Sequence, residues 1–327
     1  LPAQVTQDVQ LAADLLRRGQ LVAIPTETVY GLGANALDPS AAASIFSAKG
    51  RPAFDPLIIH QASAERLFAF ASDVPAAARK LATAFWPGPL TLVLRKDRKV
   101  PDLVTAGLST VAMRVPDHPL TLRLLEGLDF PLAAPSANPF GFVSPTRAGH
   151  VMDQLGEKIA GVLDGGPCRV GLESTIIGFP DGVATVYRKG GLPIEEIEAV
   201  LGQTLAVREH SSSQPEAPGM LSKHYSPGCK IHLVTDLEKV ISGNNPAKKK
   251  AYVGFGHFAV KEHLLSEERV WQFDLSPAGS LEVAATQLFS VLRRLNAERI
   301  DETWVQILPE RGLGRAINDR LRRAAAS

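Results

Sequence analysis

Apolar residues at positions 9, 12, 15 and 16 recur at helical spacing, and Gly19 follows as a C-cap. The short apolar run 21–24 predicts a buried strand, stopped by Pro25. Hydroxyls, a carboxylate and glycines follow, and then Asp38 or Ser40 caps an alanine-rich helix over 41–48. A second apolar run, 57–59, delivers His60. The rigid turn Trp86-Pro87-Gly88-Pro89 leads into a strand over 90–94, and 111–115 and 132–134 read as further strands. Segments 176–179 and 184–187 predict a hairpin around Pro180-Asp181-Gly182. Helices and strands interleave without a strict βα repeat, which predicts an α/β fold on a mixed sheet with helices packed against it.

The pattern changes near residue 207. Residues 209–218 are polar and rich in serine and proline, as a linker is. The linker runs into a Lys223-His224-Tyr225 cluster that a pure spacer does not need. Strands over 230–234, 251–255 and 304–308 follow, with an amphipathic helix at 281–295 and a last helix over 316–324. The expected division is a domain at 1–207, a linker at 208–229 and a small Rossmann-like α/β domain at 230–327. Lys248-Lys249-Lys250 reads as a solvated turn.

Composition narrows the classes of function. The 327 residues suit about two domains. A formal net charge of +1 gives no global argument for nucleic acid or membrane, so any basic surface is local. Cys168 and Cys229 suggest neither a disulfide framework nor a zinc site, which fits a reducing compartment. No apolar run reaches the length of a spanning helix, and the first residues lack the basic start and apolar stretch of a signal peptide. The expectation is a cytoplasmic protein without a membrane partner.

Several residues could carry chemistry. Lys49-Gly50-Arg51-Pro52 sets two cations on a short loop, either as a phosphate site or as a solvated helix end. Arg188-Lys189-Gly190-Gly191 repeats the arrangement. Ser136, Ser144 and Thr146 lie in loops broken by proline and glycine, where hydroxyls serve turns or donate to a ligand. Arg114 interrupts an apolar strand and must either reach solvent or meet an anion. His60 ends a buried strand as a core residue or a site residue. Walker A is absent, and Gly31-Leu32-Gly33 alone says little.

These segments together resemble the YrdC-like family of threonylcarbamoyl-AMP synthases in its long, two-domain form. The resemblance rests on PTETVYGLG, KGRP and the PLIIH strand, then STVAMRVP, APSAN, SPT, GLEST and YRKGG, in that order. It implies a twisted mixed sheet with helices around a concave site. Lys49, Arg51, Asp55, Thr110, Ser136, Ser144, Arg188 and Tyr225 become ATP-site candidates. Thr28, His60, Arg114, Ala134 and Ser174 become threonine-site candidates, with Arg114 on the carboxylate. The family has asparagine where this chain has Asp55, a carboxylate that repels phosphate unless it binds a metal or a ribose hydroxyl.

The implied reaction joins L-threonine, bicarbonate or CO2, and ATP into threonylcarbamoyl-AMP and pyrophosphate. It needs positioning and charge neutralisation more than a nucleophile. Mg²⁺ is expected on the triphosphate, without a protein cage. No residue is identified as a general base. The resemblance further implies a separate transferase complex that places the product on tRNA, a weak tRNA contact, and a linker folding over the pocket with Tyr225 near the nucleotide. Two alternatives are an RNA-binding YrdC-like module without turnover and a carbamoyl-transfer enzyme. The latter carries extra modules for which this chain has no room.

Overall fold

The computed structural model describes residues 2–208, 217–218, 225–241, 248–258 and 269–326. Most of the expected linker, including Lys223 and His224, lies outside the described residues. The chain divides into two compact units. The first comprises Leu1–Phe140, Ser144–Arg169 and Glu173–Leu221; the second comprises Gly141–Val143, Val170–Leu172 and Ser222–Ser327.

The strands of the first unit are β1 (Gln4–Thr6), β2 (Val22–Ile24), β3 (Gly31–Asn35), β4 (Ile58–His60), β5 (Leu90–Arg95), β6 (Thr110–Arg114), β7 (Leu132–Ala133), β8 (Gly161–Leu163), β9 (Thr175–Gly178), β10 (Thr185–Arg188) and β11 (Ala206–Val207). They form one sheet in the order β1-β8-β2-β3-β7-β4-β6-β5-β9-β10-β11. The sheet is mixed, as the interleaved pattern implies: β4 lies parallel to β6 and β5 to β9, while β5–β6 and β9–β10 are antiparallel.

Helices of this unit include α1 (Val9–Arg17), α2 (Pro39–Lys49), α3 (Ala64–Phe68), α4 (Ala76–Phe85), α5 (Asp102–Thr105), α6 (Pro119–Glu126), α7 (Ala148–Leu155) and α8 (Ile194–Leu201). Asp38 caps α2 by accepting from the amides of Ser40 and Ala41, Pro39 occupies its first turn, and Gly50 ends it at φ 60°.

Side chains alternate across a strand with period two, and this sorts the sheet into two faces. One face carries Ala23, Leu32, Ile59, Leu92, Met113 and Ile177 under α2, α4 and α8. On the other, α1 and α6 cover Val22, Ile24 and Leu132. Farther along that second face lie Ile58, Val93, Ala112, Ile176 and Tyr187, packed with Ala217. Thr110 and Arg114 alternate with Val111 and Met113 onto the same face of their strand as Ala112, part of this apolar floor.

The second unit holds a parallel sheet of β12 (Lys230–Val234), β13 (Lys250–Gly254), β14 (Val270–Asp274) and β15 (Glu302–Gln306), ordered β12-β15-β13-β14. Its helices include α9 (Leu281–Ala297) and α10 (Leu313–Ala325). Lys250, expected in a solvated turn, is a buried residue of β13. Gly171 sits at φ +77°, and a Cβ there would lie 2.6 Å from the Thr286 Cα of α9, so only glycine fits.

Candidate active site

Strand β6 organises the site. Thr110, Ala112 and Arg114 share one face, with His60 opposite Arg114 and Ile58 opposite Ala112 on β4. Arg114 is buried, so it does not reach solvent from this strand. Its Nε donates to the Gly88 carbonyl at 3.1 Å, and its Nη1 to the Thr28 hydroxyl at 2.9 Å. Its Nη2 lies 2.6 Å from Glu27 Oε1. The Thr26 hydroxyl touches that of Thr28 at 2.8 Å and donates to the Val29 carbonyl at 2.7 Å, which fixes the turn after β2. Gly88 cannot be replaced without conflict, since a Cβ would lie 2.4 Å from the Phe85 carbonyl oxygen.

His60 is buried beside this fork, with Nδ1 3.1 Å from the Ile58 carbonyl. Burial first, and then the Arg114 charge, pull its pKa down to about 3 against the smaller effects of the Ile58 and Leu132 carbonyls. The ring is therefore neutral at physiological pH. Ala134 follows β7, its amide donating to the Ile58 carbonyl at 3.0 Å.

Lys49 and Arg51 at the end of α2 are buried although Gly50, between them, is exposed, so neither cation belongs to a solvated helix end. Lys49 Nζ donates to the carbonyl of Ser136 at 2.6 Å and also to that of Asn138. Arg51 Nη2 pairs with Asp55 Oδ1 at 2.9 Å and donates to the Pro56 carbonyl at 2.8 Å. Burial, and secondarily Arg51, push the Lys49 ammonium well below its ordinary range; Asp55 opposes them. Asp55 thus serves here as the counter-ion of Arg51.

A third cluster joins β9 and β10. Arg188 donates through Nε to the Ser174 carbonyl and through Nη2 to the Ser174 hydroxyl, both at 3.1 Å. Its Nη1 donates to the Pro218 carbonyl at 3.1 Å. The Ser174 hydroxyl also meets Thr91 Oγ1 at 2.7 Å, and Ser144 donates to Glu173 Oε1 at 2.6 Å. Thr110 is half-buried, about 13 Å along β6 from Arg114. It lines a cavity of about 690 Å³ with Arg95, Lys96 and Tyr187.

Tyr225 belongs to the second unit. Its buried ring stacks on Phe289 at 5.4 Å, with the Arg323 guanidinium 4.9 Å and that of Arg320 5.5 Å from its centroid. The sequence reading missed Glu27, Thr91 and Glu173. Only the company of buried Arg114, Ser174 and Ser144 marks them, and no spacing rule predicts it. Among the described residues no group of three His, Cys, Asp or Glu side chains converges as a metal cage would.

Comparison with known proteins places the chain as a whole. The Sua5/YciO/YrdC family model, described as "Telomere recombination", matches residues 14–190. A second, "Threonylcarbamoyl-AMP synthase, C-terminal domain", matches residues 192–326. The chain belongs to the Sua5/YciO/YrdC family.

Its relatives include threonylcarbamoyl-AMP synthases of Pyrococcus abyssi, 43% identical over 97% of this chain and 94% of the relative, and of Bacillus subtilis, 39% identical over 98% and 94%. The crystal structure of P. abyssi Sua5 complexed with L-threonine matches with a TM-score of 0.89 at 41% identity, covering 99% of this chain and 97% of that one. Escherichia coli YciO shares the fold over 58% of this chain and 92% of its own, at 24% identity and a TM-score of 0.51. This Sua5-type chain carries both family domains. No helix among its described residues is long and apolar enough to cross a membrane.

Proposed function

We propose that this Sua5-type protein is a threonylcarbamoyl-AMP synthase, an ATP-using nucleotidyltransferase that supplies the activated intermediate for the threonylcarbamoyladenosine modification of tRNA. The observation that carries the reading is the likeness over nearly the whole chain to a Sua5 crystallised with L-threonine. The RNA-binding alternative is not favoured, because the full-length relatives are named as synthases.

The neutral threonine amine adds to CO2 with loss of a proton, or to bicarbonate with loss of water, and an oxygen of the resulting carbamate attacks the α-phosphorus of ATP. The bond to the β-phosphate oxygen breaks, and pyrophosphate leaves. In this reading the threonine carboxylate docks on Arg114, within reach of Thr28, His60, Ala134 and Ser174. The nucleotide enters as its magnesium complex and lies along the sheet face, with Lys49, Arg51, Ser136, Ser144 and Arg188 toward the phosphates and Thr110 at the far end. Buried cations of fixed geometry neutralise charge as it develops on the leaving pyrophosphate, and they do so without reorganising. The Ala217 and Pro218 contacts at the floor and at Arg188 help exclude water from a labile product. The product then passes to a separate tRNA-modifying transferase.

The test is pyrophosphate release from ATP and Mg²⁺, with threonine and bicarbonate each present or omitted. Release that requires both supports the synthase. Release independent of threonine, or none at all, overturns it.

A further inference from the structure

Glu27 stands in contact with Arg114. Its carboxylate is buried, with Oε1 2.6 Å from Arg114 Nη2 and Oε2 accepting from the Asp117 amide at 3.0 Å. Among the described residues, neither Glu27 Oε1 nor Arg114 Nη2 has an aligned hydrogen bond, although the two atoms touch as an ion pair. Buried polar atoms in a native fold are nearly always hydrogen-bonded, and the exceptions call for an explanation. Here the two atoms answer each other as an ion pair, and the remaining N–H of Arg114 Nη2 and lone pair of Glu27 Oε1 suit a ligand that is at once acceptor and donor.

Charge balance says which ligand. Arg114 and Glu27 already neutralise each other. A simple carboxylate docking on Arg114 adds a second negative charge beside Glu27 in a buried setting, which is costly. An α-amino acid brings its own cation. Its nitrogen lies only about 2.5 Å from its carboxyl carbon, by standard bond lengths and angle. A carboxylate on Arg114 therefore carries the ammonium to the groups flanking the guanidinium. Other ionisable neighbours do not alter the balance. Burial holds His118 below its ordinary range and raises the Cys168 thiol to about 12, so both are neutral near pH 7.5. Asp117 is paired outward with Arg169 at 2.6 Å.

We infer that Glu27 is the amine-recognition group of the site: it accepts from the substrate ammonium while Arg114 holds the carboxylate, so that the pair selects a zwitterion. The inference rests on the threonine-site reading above and adds to it a residue and a basis for selectivity.

The experiment is calorimetric titration, in the presence of ATP and Mg²⁺, with L-threonine and with 3-hydroxybutanoate, the same carboxylate and hydroxyl without the amine. Wild type should prefer threonine by about ten- to a hundredfold, the worth of one hydrogen bond to a charged group. Glu27→Gln should abolish that preference by weakening threonine and strengthening 3-hydroxybutanoate. Glu27→Asp should keep the order of preference. If Glu27→Gln weakens both ligands by the same factor, or neither, Glu27 only supports Arg114 and the proposal fails. Equal binding of the two ligands to wild type also overturns it, with no variant involved. Wild type that binds neither ligand refutes the threonine-site reading itself. Thermal midpoints of each variant separate loss of recognition from loss of fold.

Discussion

Asp55→Asn isolates the carboxylate that departs from the family's asparagine. At 2.9 Å from Arg51 Nη2 and an effective dielectric of about 20, the lost attraction is about 6 kcal/mol, an upper bound. The desolvation of Asp55, several kcal/mol, disappears with its charge, and the amide oxygen remains as an acceptor. Arg51 also keeps its bonds to the Asp55 and Pro56 carbonyls. The net expectation is a loss of about 2 kcal/mol in stability. The same change takes the Arg51–Asp55 pair from neutral to a net positive charge. For a phosphate bound as proposed above, at an assumed separation of about 8 Å and an effective dielectric of about 40, this favours each phosphate charge by about 1 kcal/mol, or about fivefold in affinity. Urea unfolding gives the first quantity, and the ATP dependence of pyrophosphate release gives the second. A weaker ATP affinity in Asp55→Asn would refute the reasoning, because the carboxylate would then contact the nucleotide or its metal directly.

Three further outcomes are expected. His60 has its folded-state pKa lowered from 6.5 to about 3, so the unfolded chain binds the extra proton in that window. Stability is therefore complete above about pH 6.5 and falls on acidification, by up to about 1.4 kcal/mol per pH unit; urea unfolding at a series of pH values should show a shallower loss in His60→Gln. Gly190→Ala should cost about 1–3 kcal/mol and raise KM for threonine, since its Cβ would lie 2.3 Å from the Ser174 carbonyl carbon and 2.4 Å from the Thr175 nitrogen; an unchanged thermal midpoint and KM would oppose this. Tyr225→Ala should destabilise the chain by about 3–5 kcal/mol through its lost packing on Phe289, read as an earlier urea transition.

The sequence made α2 legible because its signals are local: an alanine-rich run over 41–48 behind a capping Asp38, which the structure extends to Pro39–Lys49. Strand β3 was not legible, because Gly31–Asn35 lacks the β-branched residues that advertise a strand and is held by its neighbours β2 and β7. Strand β14 escaped for a related reason, since Val270–Asp274 mixes apolar and polar residues and is mostly half-buried. Within the site, residue types and order brought out Lys49, Arg51, Arg114 and Arg188, but not their burial or their partners. Glu27 reads as one more polar residue of a turn until Arg114, 87 positions later, is folded against it. The tripeptides Gly141–Val143 and Val170–Leu172 join the second unit through tertiary packing, which no shift in composition announces.

Each cation of the site is already held by oxygens of its own chain: Lys49 by two carbonyls, Arg51 by Asp55, Arg114 by Glu27 and Thr28, and Arg188 by Ser174 and Pro218. These contacts use only part of the donor capacity of each group, since arginine has five N–H and lysine three, so a substrate meets donors whose directions are already set. The rotamers of these long side chains are frozen during folding, so binding gives up little further side-chain entropy. Discrimination then falls to how well each incoming group fits N–H directions fixed before it arrives.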